Sequence, residues 1–333
     1  MGTSHNFWLN FLGIIPLAKI LGFATEELAL RTNQTIGGLL NATFGNAVEV
    51  LVSVIALNNG MVGVVQSSLL GSILSNMLLV LGFCFLLGGA TRSQQEFNPT
   101  AANTSSALLS IAVLSLLVPA AFVSSLKDKE SDVMGSVLTL SRLTAVILLV
   151  IYALFLFFQL RTHAHLYEET NSEEHEVEIP SVTGPFAVVL LLSSTICVAI
   201  NSDYLVASIE GLSHSWGLSQ TFVGLVLLPI VGNAAEHVSA VTCAMKNKME
   251  LSLGIAVGSS TQIALLVTPL LVVIGWIIGQ PMTLFFEAFD TVVLFISVLI
   301  VNYLINDGRS NWLEGAMLLA AYAIIAIAYY MMP

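Results

Sequence analysis

Charged side chains are scarce in this chain of 333 residues: Asp, Glu, Lys and Arg together make up 9% of it, against about 25% in an ordinary soluble domain. A soluble fold with that deficit could not cover itself with polar groups, so the composition points to a chain surrounded by lipid. Basic residues are few: ten Lys and Arg, scattered along the chain, form no patch for a polyanion, which excludes nucleic acid as a partner. The formal charge of −11 is no guide to partners, because six Glu within residues 168–178 supply much of it. Cysteine is rare too. Cys84, Cys197 and Cys243 each sit in an apolar stretch and suggest packing, not a disulfide framework or a zinc site. Residues 1–10 lack a basic segment followed by a cleavage site, so no removable signal peptide is expected.

What the chain does have is long apolar runs. A bilayer core takes about 20 apolar residues per helix, and ten segments qualify: 7–24, 36–58, 61–88, 100–124 and 137–160, then 183–202, 218–244, 251–276, 283–305 and 311–331. The expected fold is therefore all-α and integral to the membrane. Residues 1–160 would form a first five-helix repeat, 161–182 an acidic cytosolic linker, and 183–333 a second repeat. Five is odd, so the second set must start on the opposite side from the first, giving inverted repeats with a site at their interface. Arg31, Arg92, Arg161, Lys246, Lys248 and Arg309 collect on one side, while Lys127 and Lys129 lie on the other, with Arg142 just inside a span. The richer side is expected to be cytosolic.

The repeat is legible in the residues. Gly45-Asn46-Ala47-Val48-Glu49 recurs 187 residues later as Gly232-Asn233-Ala234-Ala235-Glu236. The same offset pairs Gly37 with Gly224, Leu40 with Leu227, and Gly71-Ser72 with Gly258-Ser259, crossing a loop without a slip. Asn46 and Glu49 are three apart and share a helix face, as do Asn233 and Glu236. Ser72 with Ser75, and Ser259 with Gln262, have the same spacing on the following helices. An ionisable residue deep in a span costs about 2.5–3.5 kcal/mol on insertion scales. Two matched carboxylates without a Lys or Arg on these helices ask for a cation or a proton as partner. Carboxylate, amide and hydroxyl oxygens suit a hard divalent ion such as calcium; soft ligands are absent apart from His237. Pro229 removes a helical hydrogen bond and frees a carbonyl that could also face an ion. Burial favours a proton on Glu49 and Glu236 and a cation displaces it, so competition between the two species yields obligatory exchange.

These motifs resemble the calcium/proton (cation/proton) exchanger family of the calcium/cation antiporter superfamily, most nearly its fungal vacuolar branch. The resemblance runs from Ala24-Thr25-Glu26-Glu27-Leu28 to Ser310-Asn311-Trp312-Leu313-Glu314-Gly315, and is most specific over residues 37–49, 232–237 and 258–262. It implies Ca2+ as the transported ion with no cofactor, Glu49 and Glu236 as the central carboxylates, and an acidic cytosolic helix between the halves. It also implies a further first helix outside the repeat, and this sequence is expected to depart from the family there. Sodium/calcium exchangers carry threonine-serine-proline signatures where this chain has Gly-Asn-Ala, which favours proton coupling; Mn2+ stays open as a substrate.

Blander readings stand beside these. Asn46, Asn233, Ser72, Ser75, Ser259 and Gln262 could be interhelical hydrogen bonds, and His237 a packed histidine rather than a proton relay. Glu26, Glu27 and Asp203, near expected span ends, could be solvated termini instead of a vestibule or proton entry. The acidic run could be a plain linker rather than a regulator. Asn33-Gln34-Thr35 forms a glycosylation sequon on the expected cytosolic side, where it would be silent. A passive channel would build its filter from several subunits, and an intramembrane enzyme would need a metal or nucleophile motif that the chain does not show. The residues leave oligomeric state open.

Overall fold

The computed structural model describes residues 2–126, 133–164 and 180–332, and its regular structure is almost wholly helical. The acidic run, Lys127 and Lys129 fall outside the described residues. Among the described residues, eight helical runs are long and apolar enough to cross a membrane, and a bent pair makes a ninth. The first is α1 (Gly2–Ala29), five residues longer at its C-terminal end than the apolar count alone indicates. The expected span 36–58 is not one helix. It is α2 (Gln34–Phe44) and α3 (Ala47–Asn58), separated at Gly45-Asn46, so this expected span is an interrupted one. Its counterpart, 218–244, begins with the short α9 (Gln220–Phe222) and a wide π-type turn (Val223–Leu227), then α10 (Leu228–Gly232) and α11 (Ala234–Met245). The two parts are bent by 61°. Asn46 and Asn233 are the residues at the breaks, with φ/ψ of −103°/27° and −96°/5°, a sparsely populated backbone region. Asn33, read as a silent sequon, caps α2: its side chain accepts the Ile36 N–H at 2.9 Å.

The most buried spans follow the breaks. α4 (Val62–Leu74), a π segment (Ser75–Val80) and α5 (Leu81–Gly88) form one run whose apolar window is 83% buried, against 17% for the run containing α7 (Val133–Phe157). The first is core and the second faces lipid. Its match is α12 (Met249–Gln262), a π segment (Ile263–Val267) and α13 (Thr268–Ile278). The two runs touch where Ser260 Oγ donates to the Ile73 carbonyl at 3.4 Å, and these two residues are themselves 187 apart.

Around this centre lie α6 (Pro99–Leu126), α8 (Gly184–Trp216), α14 (Ala288–Ile305) and α15 (Trp312–Met331). α1 and α8 pack antiparallel along their length: Trp8 and Trp216 have ring centroids 5.6 Å apart at one end, and Gly184 lies beside Arg31 at the other. Two short strands, β1 (Gln95–Glu96) and β2 (Arg309–Ser310), pair antiparallel and tie the loop before α6 to the loop before α15.

Candidate cation site

The four helix ends at the two breaks and the two central runs meet in one place. Glu49 lies in the first turn of α3 and Glu236 in the first turn of α11, where the free N–H groups and dipole of a helix start favour negative charge. Each break thus presents its amide to the run from the opposite half. Asn46 Nδ2 donates to Gln262 Oε1 at 2.7 Å, and Asn233 Nδ2 donates to Ser72 Oγ at 3.2 Å. Ser259 Oγ donates to Glu236 Oε2 at 2.7 Å. A Cβ built on Gly232 would lie 2.7 Å from Glu49 Oε1, so the glycine leaves room for that carboxylate against the opposite break.

Several of these groups are buried with nothing to bond. Asn46 Oδ1, Glu49 Oε1, Asn233 Oδ1 and Ser75 Oγ all lack a hydrogen-bond partner while shut off from solvent. Buried polar atoms are nearly always paired, and three of these four are carbonyl or carboxylate oxygens, which accept only. The ion pairs among the described residues, Arg31–Glu27 and Arg309–Glu96, involve neither central carboxylate. No described group of three or more His, Cys, Asp and Glu is clustered as a metal site would require. The oxygen set is therefore two carboxylates completed by amides and hydroxyls, hard in character and suited to a calcium-like ion.

A cavity of about 830 Å³ reaches one side of this cluster. Glu236, Ser259, Gln262 and Gly45 line its inner part; Glu26, Gln159, Asn98 and Glu250 line it nearer the helix ends that carry Arg31, Arg161 and Lys248. Glu49, 7% exposed, is not among the lining residues. These contacts link seven of the eight expected site residues, unequally, and Ser75 lies one turn along from Ser72 on the same run.

The peripheral expectations divide. Glu26 lines the cavity and is exposed. Glu27 is a structural clasp: it pairs with Arg31 at 3.0 Å and accepts from Ser181 N at 2.8 Å and Ser181 Oγ at 2.5 Å. The Glu27-to-Arg31 spacing of four could have indicated that pair from sequence. Asp203 is corrected: α8 continues past it to Trp216, and its side chain is exposed outside the cavity lining rather than at a span end. His237 is half-buried with Nε2 3.3 Å from Asn76 Oδ1, away from the cavity. The carbonyl freed by Pro229, that of Leu225, packs onto Gly71 instead of facing the cluster. Asn76 went unread; its place one turn after Ser72 in an apolar run was the available signal.

An all-helical chain with interrupted spans and paired intramembrane carboxylates defines a multi-pass membrane protein of the transporter type. A sequence model of the family described as sodium/calcium exchanger protein matches residues 5–161 and 186–331, and the chain belongs to that family. It is 50% identical over 328 residues to the vacuolar calcium ion transporter of Schizosaccharomyces pombe, covering 98% of this chain and 79% of that one. It is 46% identical to the Ca(2+)/H(+) antiporter of Aphanothece halophytica, covering 97% and 89%. Among solved structures, native YfkE superposes with a TM-score of 0.83 at 38% identity, covering 98% of this chain and 92% of that chain. The sodium-calcium exchanger NCX_Mj shares the fold at 20% identity and a TM-score of 0.60, covering 98% of each chain.

Proposed function

We propose that this protein is a vacuolar-membrane antiporter that exchanges Ca2+ for H+ by alternating access, with cation and protons competing for Glu49 and Glu236. The observation that carries the reading is the set of buried, partnerless oxygens on Asn46, Glu49 and Asn233, gathered where the two breaks meet. A desolvated carboxylate needs a counter-charge, and without a basic partner it must take a proton or a metal cation. Two carboxylates can hold one divalent ion or two protons with the same net charge, so the site is neutral in either loaded form and costly to move empty.

The relatives named as vacuolar calcium transporters and Ca(2+)/H(+) antiporters support the choice of ion, coupling and membrane. The matched halves, with α1 antiparallel to α8, support an inverted-repeat design whose site is reached from each side in turn. The cavity opens on the side rich in Lys and Arg, the cytosolic one under the positive-inside rule; Glu236 faces the cytosol in this state and Glu49 is sealed behind it. Ser72, Ser75, Ser259 and Gln262 complete or support the oxygen shell.

The test is calcium uptake into proteoliposomes, with and without an imposed proton gradient, for the parent, Glu49→Gln and Glu236→Gln. Gradient-driven uptake in the parent, lost in both variants, is the expected result. Uptake indifferent to the gradient, or surviving both substitutions, overturns the reading.

A further inference from the structure

The two breaks are matched in sequence but not in setting, and the mismatch points to a second resting place for α2. In the second half the π turn (Val223–Leu227) lies across α4. A Cβ built on Gly71 would sit 2.0 Å from the Leu225 carbonyl oxygen, and one on Gly224 would sit 2.9 Å from the Ser67 Cβ. Under the 187-residue register these contacts correspond to Gly258 with Gly38 and Gly254 with Gly37. Neither exists here. Nothing lies within 4 Å of a Cβ built on Gly254 or Gly258, and both line the cavity, while Gly37 and Gly38 rest beside Ala29 and Leu160.

The polar side chains carry the same message independently. Asn233 donates to Ser72, whose match is Ser259, yet Asn46 donates to Gln262, one turn further along α12. Ser259 is meanwhile engaged with Glu236.

We infer that the face of α12 at Gly254 and Gly258 is the seat on which α2 docks when the cavity closes. Gly37 and Gly38 then settle there as Gly224 and Leu225 settle on α4, and Asn46 passes its amide donor from Gln262 to the Ser259 hydroxyl. The inference rests on the alternating access proposed above. Its physical ground is that glycine faces let helix backbones approach closely, and that matched repeats packed two ways differ little in energy. Gly254 and Gly258 touch no ion; they are positioning residues for the gate.

The test uses the full-length protein in phosphatidylcholine–phosphatidylglycerol liposomes, with Cys84, Cys197 and Cys243 replaced by alanine. Gly258→Leu adds a side chain that the open packing accommodates and the docked packing excludes. Expected are retained calcium binding, exchange lower by about 100-fold, and faster reaction of Ser239→Cys, inside the cavity, with an impermeant maleimide. Exchange at the parent rate overturns the docking seat. Should Gly258→Leu lose calcium binding, a second variant decides. Gly37→Cys with Gly254→Cys is expected to cross-link under a mild oxidant, arrest exchange, and recover on reduction. Exchange that proceeds without any cross-link overturns the inference. Because cross-linking and labelling read the gate without transport, a parent that exchanges no calcium for protons would strike the exchange reading alone.

Discussion

The first and second halves of this chain carry nearly the same polar code and hold it in different states. In the second half the break at Asn233 is packed down: α4 meets the Leu225 backbone at Gly71, and Asn233 bonds Ser72. In the first half α2 stands off α12, and a cavity fills the gap. The consequence falls on the carboxylates. Glu49 is wedged against Gly232 and sealed, whereas Glu236 looks into the cavity with Ser259 as its donor. Chemically equal residues thus acquire unequal access from packing alone, which is the property an exchanger needs.

The largest expected effect should erase the comparison. Glu49→Gln and Glu236→Gln are each expected to reduce gradient-driven calcium uptake by at least about 100-fold, since an amide cannot neutralise a divalent ion and the loss exceeds about 2.7 kcal/mol. The two sites should still differ toward reagents. A hydrophilic carbodiimide added from the Lys- and Arg-rich side should modify Glu236 and spare Glu49, as peptide mapping would show; equal modification would contradict the sealed and open assignment.

Next comes a contrast between matched glycines. Gly71→Ala forces a methyl into the Leu225 carbonyl, at a cost of about 1–3 kcal/mol or more. Gly258→Ala meets open space and should leave the melting temperature in detergent level or slightly higher, as alanine suits a helix better by about 0.5–1 kcal/mol. Equal melting temperatures would count against the asymmetry. Glu27→Gln is expected to lower the melting temperature measurably, because Arg31 and the Ser181 donors lose a charged acceptor.

The smallest effect separates the two serines. Ser259→Ala removes the partner of Glu236 and Ser72→Ala the acceptor of Asn233, each worth about 1 kcal/mol. Ser259→Ala should weaken the calcium affinity by about fivefold, and Ser72→Ala by less. Titration by isothermal calorimetry in detergent checks this.

Much of the architecture was legible in the chain. Apolar runs located the helices, and the 187-residue register identified Asn46, Glu49, Asn233 and Glu236 with their partners on the following helices. Helix ends were less legible, because hydropathy marks where lipid stops and not where hydrogen bonding stops. α1 runs on to Ala29 and α8 to Trp216, which moved Glu27 into a clasp and Asp203 into the body of a helix. The breaks were hidden for a related reason: Gly45-Asn46 and Gly232-Asn233 sit inside segments apolar enough to read as continuous spans. His237 and Asn76 met across two helices, and no local spacing encodes such a pairing.

By itself the sequence determined that the chain enters a membrane, repeats itself, and places two carboxylates with amides and hydroxyls at matched depths. Only the tertiary structure decided which carboxylate is sealed and which is reached, and from which side. The physical reason is that local sequence sets hydropathy, spacing and backbone preference, and these are alike in the two halves. Access depends on whether a helix lies down on its neighbour, and matched sequences leave that choice to packing.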